Sequence, residues 1–227
     1  MYNLKNLMLE PATLFDDLKE KPTWLTPFII VSLISIVIAL LMQPAQAQLV
    51  VQQLQEKMSP EMVEQVISKA KSFNIVGLAI TPLMILLKWS ILSALVLVVS
   101  FLFTENFKYK QAFSIVSYSS LVLLLGDVFN TGIIYLKGIE SITGPFDLSN
   151  IGLNVFFSLE STGMGMYSFL SEITVFAIWN IVIVAIGFMG MANLNKVKAG
   201  TASAIVWLVV VGIKVGFAVL GSTFSMG

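Results

Sequence analysis

Three ionisable side chains stand inside apolar runs of this sequence, Lys88, Asp127 and Lys214, and a fourth run carries Asn180. One carboxylate and two ammonium groups in such surroundings have few uses. They can pair and fix helix register, hold a ligand of complementary charge, or carry protons and ions across a membrane. Asp127 lies in the run from Phe113 to Tyr135, where Ser114, Ser117, Ser120 and Thr131 fall near one face at helical spacing. Lys88 and Lys214 sit near the centres of their own runs. Whether these residues act together depends on the elements that carry them.

Composition sets the class. The chain has 227 residues, 57% hydrophobic and 11% charged, with a mean hydropathy of +0.90 and a formal net charge of zero. A soluble domain carries about a quarter charged residues, so this chain reads as a polytopic membrane protein. No basic block points to nucleic acid. The lack of His and Cys removes His-based triads, thiol catalysis, zinc-finger and haem ligation, and disulfides. Every basic residue is Lys, so there is no guanidinium clamp for a nucleotide phosphate. A single intramembrane Asp does not make an aspartyl pair, the serines of the third run have no His base, and Gly163-Met164-Gly165 is too short for a phosphate loop. The expectation is a protein that is not an enzyme and uses no cofactor or metal.

Five runs are long enough to cross the hydrocarbon as helices, about 25–42, 75–103, 113–136, 171–192 and 201–224. The predicted architecture is all-α, a five-helix transmembrane domain over 25–227 preceded by an interfacial segment over 1–24. In that segment Leu4, Leu7, Met8, Leu14, Phe15 and Leu18 recur at helical spacing, which predicts short amphipathic helices, broken near Pro11, on the membrane surface. Residues 44–48, Pro-Ala-Gln-Ala-Gln, imitate a signal-peptidase site. The region before them is too long and carries Glu10, Asp16, Asp17 and Glu20, so the first run is read as a retained span. Residues 43–74 are Gln- and charge-rich, with Ser59-Pro60-Glu61 as a helix start and Met62, Val63, Val66, Ile67 and Ala70 on one apolar face. They predict a small helical hairpin outside the membrane. The second run exceeds a bilayer and contains Pro82, so it should tilt, kink or project. The long loop after the third run turns at Gly144-Pro145, and its segments 151–159 and 167–170 are apolar enough to touch the interface.

Five spans place the termini on opposite sides. Seven lysines fall on the side of the N-terminus and four on the other, which favours a cytoplasmic N-terminus and an extracytoplasmic C-terminus in the cell membrane. Depth can then be counted from the cytoplasmic ends of the runs. Lys88, Asp127, Asn180 and Lys214 lie twelve to fifteen residues in, about 18 to 23 Å at 1.5 Å per residue. A charge near the bilayer centre costs roughly 2.5 to 3.5 kcal/mol on insertion scales, so all three should turn inward. Asp127 is then the expected acceptor for Lys88, Lys214 or both, with Asn180 satisfying leftover groups. That layer would keep one surplus positive charge. A polar clasp fixing helix register is the plainer reading; a ligand or lipid-headgroup site and a transport path are the alternatives.

Gly212 and Gly216 form a GxxxG in the fifth run, with Lys214 midway between them and so on another face. Internal helix packing is expected of the pair, and a homo-oligomer contact is the alternative. Gly187, Gly190 and Ala192 thin the fourth run. Trp24 reads as an interfacial anchor, whereas Trp89, Trp179 and Trp207 sit deeper and read as packing.

Three segments together resemble the Yip (Ypt/Rab-interacting protein) family in its bacterial form. They are Leu9-Glu10-Pro11-Ala12-Thr13-Leu14-Phe15-Asp16-Asp17-Leu18 with Lys21-Pro22, then Phe107 to Tyr118 leading into the third run, then Phe176-Ala177-Ile178-Trp179-Asn180 with Gly187 and the Lys198-Ala199 turn. The resemblance covers nearly the whole chain and implies a five-helix bundle with a cytoplasmic N-terminus. In eukaryotic members it would imply vesicle trafficking with prenylated small GTPases. As read here, the chain has neither their long cytosolic N-terminal region nor their Asp-Leu-Tyr-Gly-Pro motif, which speaks against a GTPase partner.

Three functions are consistent with these residues: a non-enzymatic scaffold or accessory protein for another membrane protein such as a transporter complex, a lipid-binding or membrane-organising protein, and a small permease using the polar layer. The topology is open to a direct check, because no native Cys interferes. A single cysteine at Gln53 should react with an impermeant thiol reagent from the extracytoplasmic side, and reaction only from the cytoplasmic side would overturn the orientation.

Overall fold

A computed structural model describes residues 4–55, 58–142, 144–148 and 151–225. Among them the chain is helical throughout, with no strand. Two short helices, α1 (Leu4–Leu9) and α2 (Pro11–Glu20), precede the long helices α3 (Leu25–Gln55), α4 (Pro60–Ser100) and α5 (Tyr109–Lys137). After three 3-10 turns come α6 (Leu159–Ser171), α7 (Val175–Ala192) and α8 (Lys196–Ser225). Segments of α3, α4, α5, α7 and α8 are long and apolar enough to span a membrane, which gives the five-span bundle read from composition.

The segment between the first two spans is a helical hairpin, as expected, and it is formed by the spans themselves. Helix α3 continues through Pro44 to Gln55, and α4 begins at Pro60 and continues through Pro82, so the spans themselves run out of the apolar zone and turn back. Each proline lacks one backbone donor and yet ends neither helix. The base of this projection is tied down. Met42, Ala45 and Leu49 of α3 pack with Ile134 of α5 and Ile142 of the following loop. Gln48 and Gln52 Nε2 both donate to the Ile142 carbonyl, at 3.4 and 2.9 Å, so the glutamines of this stretch join hairpin to loop.

Helix α5 is the centre of the bundle, in contact with α3, α4 and α7. Its start is built by the segment from Phe107. Lys108 N–H donates to Gln111 Oε1 at 2.9 Å, closing the first turn, and Gln111 Nε2 reaches the Met191 carbonyl at the end of α7. Phe107 packs on Phe188 with ring centroids 5.8 Å apart. Serines 117 and 120 return their hydroxyls to carbonyls of their own helix, so polarity here costs nothing in orphaned donors. Ser114 instead donates to the Thr23 carbonyl at 3.0 Å and ties the α2–α3 link to α5.

Most of the apolar stripe of the N-terminal segment packs against protein. Leu7, Leu14, Phe15 and Leu18 are each at most 1% exposed and belong to the main core, while Asp16, Asp17 and Glu20 face outward. Helix α2 lies against α7, and two glycines make that closeness available. A Cβ on Gly190 would stand 3.1 Å from the Phe15 Cβ, and one on Gly187 would stand 2.8 Å from Ile115 Cγ1 of α5. The apolar side of α2 finds a protein surface to bury against.

Gly187→Val should therefore lower stability by about 1–3 kcal/mol through overpacking, read as a lower thermal unfolding midpoint in detergent. Gly190→Leu should release α2 and admit protease within residues 4–20 before the spans are cut. Wild-type behaviour of both variants would refute these contacts.

Candidate functional site

Four helices surround a cavity of about 260 Å³: α4, α5, α7 and α8, with α3 touching its wall. Around this ring α4 and α8 are the most sparsely packed neighbours. Each helix is held in rotation by packing on its other faces. Trp89 of α4, 2% exposed, stacks edge-on against Phe28 of α3 and Phe113 of α5, both at 6.1 Å, and this fixes the neighbouring Lys88. Phe129 of α5 meets Phe176 of α7 at 5.8 Å, beside Asp127. Trp207 of α8 meets Phe169 of α6 at 6.2 Å.

Lys88, Asp127, Asn180 and Lys214 all line this cavity, together with Glu172, which the sequence reading did not single out. Their depths are not equal. Lys88 and Asn180 stand twelve residues from Ser100 and Ala192, about 18 Å along their helices, but Asp127 and Lys214 stand eighteen residues from Tyr109 and Lys196, about 27 Å. Helices α5 and α8 begin earlier than their apolar runs, at Tyr109 and Lys196 rather than near 113 and 201, and this moves both charges toward the hairpin end.

The expected pairing is corrected accordingly. Lys214 Nζ donates to both carboxylate oxygens of Glu172, at 2.7 and 2.9 Å, and not to Asp127. Glu172 caps the end of α6 just before α7 and so lies at the level that Lys214 reaches. Among the described residues neither the Lys88 ammonium nor the Asp127 carboxylate has a hydrogen bond or ion pair. By surface area both residues are exposed, at the open side of the cavity they line. Their charges still act on each other and on Lys214. With Glu172 included the cavity holds two cations and two anions, so the surplus positive charge disappears.

Asn180 has a different task from satisfying charge. Its Nδ2 donates to the Ser119 carbonyl at 2.9 Å and ties α7 to α5. Thr131 also turns inward on its own helix, donating to the Asp127 carbonyl oxygen of the backbone at 2.8 Å. Among the described residues no three acidic side chains converge to hold a metal ion.

The family model for the Yip1 domain matches residues 5–218. The chain belongs to the Yip1 family. No curated protein and no solved structure matches it significantly. All three segments that carry the resemblance have structural work in this Yip1 protein: the first forms α2, the second starts α5, and the third supplies Asn180 and Gly187.

Gly212 and Gly216 are not packed within this Yip1 chain. Beyond their own helix, no atom of the described residues lies within 4 Å of a Cβ built on either, so the expected internal packing is absent among them and the pair faces outward with Ile213 and Phe217. Trp24 is partly exposed and stacks edge-on with Phe28 and Phe113, both at 5.6 Å. Glu172 escaped notice because it stands at the boundary between loop and fourth run. The available signal was the helical start at Lys196, which would have placed Lys214 at the same end as Glu172.

Proposed function

We propose that this Yip1-family protein is a non-enzymatic membrane protein that binds a polar ligand, in the first place a lipid headgroup, between α4, α5, α7 and α8. The supporting observation is that Lys88 and Asp127 line one cavity without closing on each other. A clasp that served only to fix helix register would gain by contact, since separated opposite charges in a low-dielectric interior forgo most of their attraction. The cavity's volume of about 260 Å³ lies just under the range of small-molecule sites. With the orientation read from the lysines, the charged groups lie toward the extracytoplasmic leaflet.

A second reading, a scaffold for another membrane protein, draws support from the outward face of α8. There Gly212 and Gly216 leave a flat strip beside exposed Ile213, Phe217 and Leu220, which a partner helix could approach closely. A small permease has less support, since five unequal spans show no duplicated halves.

Native mass spectrometry of the chain extracted with its own membrane lipids separates these readings. The binding role predicts about one retained phospholipid per chain, lost in Lys88→Gln. Complete absence of bound lipid, with a stoichiometric protein partner released by Gly212→Ile, would replace it with the scaffold.

A further inference from the structure

Lys214 and Glu172 already satisfy each other at the rim of the cavity. That leaves Lys88 and Asp127 as the charged groups lining the cavity that have no hydrogen bond or ion pair among the described residues. Asn180 commits its Nδ2 to the Ser119 carbonyl and keeps Oδ1 as an acceptor. The lining is therefore neutral in formal charge but polarised, with a donor pole at Lys88 and an acceptor pole at Asp127.

Such a lining selects by charge. An anion bound here would leave the cavity net negative and a cation would leave it net positive, each at a cost in a low-dielectric setting. A neutral ligand without charges would leave both poles unanswered. A zwitterion answers both and keeps the sum at zero. The acceptor pole also discriminates among cations, because a primary ammonium gives a carboxylate N–H donors and a quaternary ammonium has none.

We propose that the ligand is a zwitterion with a primary ammonium and a phosphodiester, the ammonium held by Asp127 and the phosphate by Lys88. This rests on the binding role proposed above and names its ligand class. Two sources share that chemistry. An ethanolamine phospholipid could enter from the bilayer along the sparsely packed side between α4 and α8. A free glycerophosphoethanolamine could enter from a second cavity of about 410 Å³, lined in part by Lys137 and Asn154. The two cavities share Asn130 and Ile151 as a common wall, where the Ile151 N–H donates to Asn130 Oδ1 at 3.3 Å.

The test uses the full chain in nanodiscs holding equal parts of ethanolamine, choline and glycerol phospholipids, with bound lipid read by native mass spectrometry. Ethanolamine lipid should be enriched roughly tenfold over both others, since one charge-assisted hydrogen bond is worth about that ratio. Asp127→Asn should abolish the preference over choline lipid while lipid is still retained, and Lys88→Gln should weaken all three. Displacement of the lipid by glycerophosphoethanolamine would assign the free source, and no displacement would assign the bilayer; both uphold the zwitterion. Equal retention of the three lipids, or preference for the anionic glycerol lipid, would overturn the ligand class and leave the binding role intact. Retention of no lipid and no response to glycerophosphoethanolamine would overturn both. The wild-type preference decides even where a variant fails to fold.

Discussion

The structure depends on how ionised side chains are tolerated inside a bundle of apolar helices. Each charge taken from water loses solvation that only a partner, a dipole or a polar ligand can restore. In this chain one pair, Lys214 with Glu172, does so by contact. The other opposite charges, Lys88 and Asp127, are held apart on helices whose rotations are set elsewhere, by Trp89 against Phe28 and Phe113 and by Phe129 against Phe176. Aromatic packing thus sets the rotation of the helices that carry these two charges.

The rest of the bundle serves to make that separation durable. At the end bearing the N-terminal helices, close approach at Gly187 and Gly190 draws α2, α5 and α7 together around Phe15, Ile115 and Phe188. At the opposite end, the glutamines of α3 and the apolar contacts of Ile134 and Ile142 bind the projecting hairpin to the loop after α5. The cavity lies between two tightened ends. Asn180 crosses the middle and holds α7 to α5 where the glycines no longer act.

Much of this was legible in the residues, for reasons that differ from case to case. Lys88, Asp127, Asn180 and Lys214 stood out because a polar group in a long apolar run has few tolerable positions, and inward is the commonest of them. The spans were legible from length and hydropathy alone. Partner choice was not, because it turns on helix starts, and apolar runs begin several residues inside α5 and α8. Glu172 was lost in the same way, since an acid at a loop boundary looks solvated. The fate of α2 was illegible for another reason: Leu14, Phe15 and Leu18 make the same stripe whether it meets lipid or protein, and the deciding glycines lie in α7. Gly212 and Gly216 show the converse, a packing motif that meets no partner helix among the described residues.

The central claim is that Lys88 and Asp127 are kept apart to hold something between them. An experimental density map of the full chain in nanodiscs made from its native lipids tests it most directly. The account predicts separated Lys88 and Asp127 side chains with headgroup density bridging the ammonium and the carboxylate. A direct Lys88–Asp127 ion pair, with no density between α4 and α5 beyond the protein, would contradict it and return the cavity to a clasp.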